Sequence, residues 1–109
     1  MEYKNNDMNT ELPLITIITV SYNAAQQISS TIKSLLKQAD NRFECIFVDG
    51  KSTDNTNKII TNYKQEFEQK NIRITHLIEK DKGIYDAMNK GIAYSHGEYC
   101  NFINAGDKF

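Results

Sequence analysis

The sequence predicts an α/β fold in three layers, with a parallel sheet between helices. Two observations carry this. Short, β-branched apolar runs alternate with segments whose apolar residues recur at helical spacing. Read in order, they give β-α-β-α-β-α-β, which a single sheet accommodates through right-handed crossovers.

Residues Met1 to Glu11, MEYKNNDMNTE, are polar and read as a flexible tail, leaving one domain over 12–109. LPLITIITV, Leu12 to Val20, is nearly continuous in apolar character and too short for a buried helix. It predicts an interior strand, with Pro13 at its edge where a missing N–H is tolerated. SYN follows as a turn. From Ala24 to Ala39, Ile28, Ile32, Leu35, Leu36 and Ala39 share one helical face, with Gln, Ser and Lys opposite. FECIFV, Phe43 to Val48, predicts a second buried strand. DGKSTDNT closes it and opens a second helix, with Asp54 or Ser52 as its cap and Ile59, Ile60, Tyr63 and Phe67 as its stripe. IRITHLI, Ile72 to Ile78, is the third strand and EKDKG a loop. Ile84, Met88 and Ile92 mark a third helix. HGEY leads into a fourth strand, Glu98 to Ile103.

Composition excludes several function classes. With 109 residues, 39% hydrophobic and 25% charged, the chain has ordinary globular usage rather than that of a disordered one. A net charge of -1 offers no basic field for nucleic acid and no polybasic membrane patch. No apolar run approaches the roughly 20 residues that span a bilayer, and the start has no charged-then-apolar signal pattern. A cytoplasmic protein is expected, with any membrane association supplied by partners. Cys45 and Cys100 lack the paired spacing of a zinc or redox motif and predict two reduced, packed thiols.

A parallel sheet gathers its carboxyl ends along one edge, and ligands bind there, where the strand order reverses. Strand one delivers Ser21, Tyr22 and Asn23. Strand two delivers Asp49, Gly50, Lys51 and Ser52. Glu79, Lys80, Asp81 and Lys82 follow strand three, and Asn104, Ala105, Gly106 and Asp107 follow strand four. Carboxylates alone repel a phosphate, but a divalent cation bridges the two, and Asp107 is the expected metal ligand. Asp49 is placed to accept from a base N–H or ribose hydroxyls. There is no Gly-rich phosphate loop with its lysine and no dinucleotide fingerprint after strand one.

Four ordered segments, ITIITVSYN, VDGKSTDNT, EKDKGIYDAMNKGI and GEYCNFINAGD, resemble the inverting family-two glycosyltransferases of the GT-A fold. The resemblance covers the chain from about Leu14 onward. It implies the Rossmann-like, nucleotide-binding half of such an enzyme. It also implies a nucleotide-diphosphate sugar as donor, with UDP the commonest nucleotide. Mn2+ or Mg2+ would be the cofactor, and a glycan or lipid-linked hydroxyl the acceptor. Carried over by residue, Ser21 and Asn23 lie in the turn that wraps the base, and Asp49 recognises base or ribose. Asp81 is the loop acid near the base, and Asp86 and Asn89 face the donor from the third helix. Asn104 and Asp107 open and close the metal-binding turn. Asn104 and Gly106 stand where fuller versions of that turn carry further acids. The resemblance places the catalytic base in an acceptor-binding half beyond these residues. The 109-residue chain is therefore expected to bind donor and to transfer little sugar by itself, and an uncovered apolar face is expected to favour homo-oligomers. The rival reading is a non-catalytic module that binds a nucleotide or a partner chain. A receiver-type phosphoacceptor domain would need a pair of acids after strand one, where this chain has SYN.

Overall fold

The computed structural model describes residues 13–38, 42–80 and 82–105. Their order is β1 (Ile15–Ser21), α1 (Ala25–Leu36), β2 (Phe43–Asp49), α2 (Thr56–Gln69), β3 (Arg73–Ile78), α3 (Ile84–Ala93) and β4 (Tyr99–Asn104). The four strands form one parallel sheet in the order β3-β2-β1-β4. The chain thus steps from β1 through β2 to β3, then crosses back to the far side of β1. Right-handed crossovers in opposite directions place α1 and α2 on one face and α3 on the other.

Strand parity separates two cores. Phe43, Cys45 and Phe47 of β2 join Ile28, Ile32, Leu35 and Leu36 of α1 and Ile60 and Phe67 of α2. Ile18 and Val20 of β1, with Ile46 and Val48 of β2, pack against Ala87 and Met88 of α3. Every residue of β2 is therefore buried, which explains why FECIFV reads as continuous rather than alternating. Phe47 and Phe67 meet edge-on with ring centroids 6.0 Å apart. Cys45 is buried and Cys100 half-buried, both as free thiols, and desolvation pushes the Cys45 thiol up to about 12.

The predicted stripes of α1 and α2 are the ones buried, apart from Ala39, which lies outside the described residues. The stripe predicted for α3 is corrected. Ile84 and Ile92 are exposed, and the residues that meet the sheet are Ala87 and Gly91, with Met88 alongside. The cause is closeness: a Cβ on Gly91 would stand 2.5 Å from Cγ2 of Ile18. Only small residues fit that contact, and apolar periodicity alone points to the bulkier face. Strand bounds also shift at their ends. β1 starts at Ile15, beyond Pro13, and includes Ser21; β2 includes Asp49, and β4 includes Asn104. The residues expected in turns are thus the last rungs of the ladder. α2 ends at Gln69; just past its cap Lys70, Asn71 takes a φ of 60°, which lets the N–H of Ile72 return to Phe67 O at 2.9 Å.

One polar cluster lies at the amino edge of the sheet. Glu44, fully buried in β2, accepts from Thr16 Oγ1 at 2.6 Å and from the His96 N–H at 2.5 Å, and its Oε1 lies 3.1 Å from His96 Nδ1. The Gly97 N–H then donates to Thr16 Oγ1 at 2.9 Å. A Cβ on Gly97 would meet backbone at 2.7 Å, so the turn before β4 presses directly on β1. Among the described residues no helix is long and apolar enough to cross a membrane.

Candidate functional site

The strands end level at the carboxyl edge. Ser21 is in register with Asp49, Asp49 with Ile78, and Val20 with Asn104. The ladder runs one rung further, through Gly50 N to Ser21 O, Glu79 N to Asp49 O and Ala105 N to Val20 O at 2.9–3.0 Å. The strand order reverses between β1 and β4. A sheet of this kind opens its binding crevice at such a reversal.

Two turns, after β1 and after β2, form one clasp. Asp49 is fully buried, yet its carboxylate accepts four hydrogen bonds. Oδ1 takes the hydroxyls of Ser21 and Ser52, both at 2.6 Å. Oδ2 takes the Ser52 N–H at 2.7 Å and Asn57 Nδ2 at 2.8 Å. Burial pushes this carboxyl up, but the bonds from Ser21, Ser52 and Asn57 outweigh it and hold it below the usual carboxylate range. Asn23 has a φ of 49°, a conformation that Asn adopts readily. From there its Oδ1 accepts the Thr53 N–H at 2.8 Å, and its own N–H donates to Ser52 Oγ at 2.8 Å. Asp54 closes the clasp. Its carboxylate accepts the Ala25 N–H at the start of α1, and the Thr56 N–H and hydroxyl at the start of α2. It therefore caps two helices, although the residue directly before α2 is Asn55. The Thr56 hydroxyl bond leads the effects that hold Asp54 below the usual carboxylate range.

The DGKSTDNT segment thus spends most of its side chains on its own turn and on SYN. Ser21, Asn23 and Asp49, all predicted to face a ligand, sit side by side as predicted, but bonded to protein groups. On α3, Asp86 likewise accepts the Lys82 N–H at 2.9 Å, the bond that leads in holding its carboxyl low. Lys90 straps the same loop, 3.1 Å from Lys80 O, 3.5 Å from Asp86 and 3.6 Å from Glu79. Asn89 is exposed, and Asn104 half-buried at the end of β4. Tyr22 is exposed, as is Lys51, whose φ of 66° is strained for a side chain of its type. Asp81, Gly106 and Asp107 lie outside the described residues.

Sequence reasoning missed three groups. Glu44 carried a signal, since an acid inside a fully buried strand needs partners. Asn57 and Lys90 carried none, because their partners come from other elements.

Among the described residues no three His, Cys, Asp or Glu side chains are grouped to hold an ion. Asp107, the expected metal ligand, lies outside those residues.

Comparison with known proteins follows this geometry. The model of glycosyl transferase family 2 matches residues 16–108. A Bacillus subtilis glycosyltransferase assigned to teichuronic acid biosynthesis, TuaG, is 37% identical over 97 residues, covering 89% of this chain and 37% of its own length. A PGL/p-HBAD biosynthesis glycosyltransferase of Mycobacterium bovis is 33% identical over 95 residues, covering 87% and 36%. Among solved structures, S. aureus TarS 1–349 in complex with UDP-GlcNAc superposes with a TM-score of 0.73 at 26% identity, covering 84% of this chain and 26% of that one. The mannosyltransferase PcManGT of Pyrobaculum calidifontis, in complex with GDP-Man and Mn2+, shares the fold with a TM-score of 0.77 at 24% identity, over 88% and 28%. The chain therefore spans a little over a third of the length of the curated relatives it matches.

Proposed function

The chain belongs to glycosyl transferase family 2, and from that premise we propose that the carboxyl edge of its sheet binds a nucleotide-diphosphate sugar for inverting transfer to a hydroxyl acceptor. The observation that carries this reading is the reversal of strand order beside the Asp49 clasp, with Tyr22 and Lys51 of its two turns exposed and Asn104 half-buried at the end of β4. The donor is a UDP-sugar, and the acceptor a glycan or lipid-linked hydroxyl. Asp107 would hold Mn2+ or Mg2+ beside the donor. Such an ion would neutralise charge that develops on the leaving diphosphate.

Roles divide between walls and contacts. Ser21, Asn23 and Asp49 shape the turn against which the base and ribose lie. Asp86 fixes the mouth of α3, and Asp81 is the acid near the base. Asn89 and Asn104 face the donor directly. The catalytic base belongs to the acceptor-binding part of the whole protein. The 109-residue chain assayed alone is expected to bind donor and to transfer none at a measurable rate. The protein works in the cytoplasm, reaching a membrane through partners. Uncovered Tyr99 and Phe102 on β4 favour self-association through that strand, which size in solution would read.

Calorimetric titration with UDP tests the reading. Saturable binding with Mn2+, lost in Asp107→Ala, is expected. Equal binding with and without the metal would refute the metal-bridged donor site.

A further inference from the structure

We propose that Asn57 and His76 are positioning residues for the clasp. Asn57 holds the fourth acceptor position of the Asp49 carboxylate, and His76 sets which way the Asn57 amide points. The inference deepens the donor-site reading and rests on it for its link to binding.

The Asp49 carboxylate accepts four hydrogen bonds. Three of its four hydrogen bonds come from the two turns it joins, from Ser21 and Ser52. The fourth comes from outside them, from Nδ2 of Asn57 in the first turn of α2. An amide has two ends of nearly equal shape, one donor and one acceptor. Only the donor end suits a carboxylate; the other would set oxygen against oxygen. The far end of this amide is also held. Asn57 Oδ1 lies 2.8 Å from Nε2 of His76 on β3. An amide oxygen cannot donate, so Nε2 carries the proton. That N–H is present in both the neutral ring and the imidazolium, so the arrangement survives titration of His76. Burial holds His76 below its ordinary value, against the pull of Asp49 and together with the repulsion of Lys64.

A chain of bonds therefore runs from β3 through α2 to the ends of β2 and β1: His76, Asn57, Asp49, Ser21. Neither His76 nor Asn57 is exposed to a ligand through these bonds. They act through Asp49, and through it on the backbone of Ser21–Asn23 and Gly50–Ser52. With Asn57 removed, Oδ2 keeps only the Ser52 N–H, and α2 is tied to the turn after β2 through Asp54 alone, no longer through Asp49.

Three variants of the 109-residue chain test this: Asn57→Leu, His76→Leu and His76→Gln, the last keeping an N–H near Nε2. Each is followed by thermal melting, by the 13C titration of the Asp49 carboxyl, and by UDP affinity with Mg2+. Asn57→Leu is expected to raise the Asp49 midpoint and weaken UDP binding roughly tenfold, the effect of one hydrogen bond to a charged group. His76→Leu is expected to move both in the same direction, and His76→Gln to recover most of that loss. A merely structural role would lower the melting point in Asn57→Leu and leave the midpoint and affinity unchanged, which overturns the proposal. The midpoint is read without nucleotide. A moved midpoint in a chain whose wild type binds no UDP would uphold the positioning of the clasp and overturn the donor-site reading instead.

Discussion

Replacing Asp49 by Asn separates two roles for this carboxylate, holding the clasp or touching the ligand. The substituted amide keeps the shape but offers one acceptor oxygen and two donors. Its oxygen must stay where Oδ2 now is, because the Ser52 N–H and Asn57 Nδ2 can only donate there. Its nitrogen then faces the hydroxyls of Ser21 and Ser52, which can rotate and accept. The network survives in outline and loses its charge-assisted character, at a cost of about 2 kcal/mol. For a chain of this size that lowers the melting temperature by on the order of 10 °C. Asp49→Ala is harsher. It leaves the buried hydroxyls and N–H groups that face Asp49 without an acceptor, at about 3–5 kcal/mol. That is comparable with the whole stability of a small domain, about 5–15 kcal/mol. Melting followed by circular dichroism, with UDP affinity measured on the same samples, reads both effects. Expected are a graded loss of stability from Asn to Ala and a UDP affinity that weakens only in step with the turn. An unchanged melting temperature in Asp49→Asn, with UDP binding abolished, would refute the clasp and make Asp49 a direct ligand contact.

Other consequences follow from single groups. The Thr19 hydroxyl is fully buried with no hydrogen-bond partner among the described residues, so Thr19→Val should stabilise the chain by about 1 kcal/mol, read as a rise in urea midpoint. Gly97→Ala drives a methyl into the backbone of β1 and should destabilise by about 1–3 kcal/mol, with a lower melting temperature as the readout. Burial raises the Glu44 carboxyl, and its bonds from Thr16 and His96 outweigh that, so it is held low in the fold. A carboxyl depressed by folding adds stability above its unfolded pKa, about 4.3, and loses it as pH falls through the folded value. Acid melting of the wild type should therefore steepen below about pH 4.3, and Glu44→Gln should flatten that limb.

How much of this could be read in advance depended on which groups lie near in sequence. The order of elements, the stripe of α1 and the two turns at the edge were legible, since each is a local pattern of apolar spacing or turn residues. The face of α3 was not. Periodicity favoured Ile84, Met88 and Ile92, while the sheet accepted Ala87 and Gly91 because Ile18 left no room for more. Asp49 was legible as the acid that ends a buried strand, while its bonds within the protein were not. Ending a buried strand marks a residue as special, but its partners Ser21, Asn57 and, through Asn57, His76 come from three other elements. The same holds for Glu44 and His96, separated by 52 positions and joined by a crossover that brings β4 beside β1. Residue types announce that a partner is needed; topology decides who it is.

The central claim is that a metal-bridged nucleotide sits at the carboxyl edge, beside the clasp. Paramagnetic broadening by Mn2+ tests it most directly. A 15N-labelled chain is titrated with substoichiometric Mn2+ in the presence and absence of UDP, and amide signals are followed by residue. The account predicts UDP-dependent loss of the signals of Tyr22, Gly50, Lys51 and Ala105, with Gly97 and Leu14 at the opposite edge spared. Broadening centred on Glu44 and His96, or the same pattern without UDP, would contradict it.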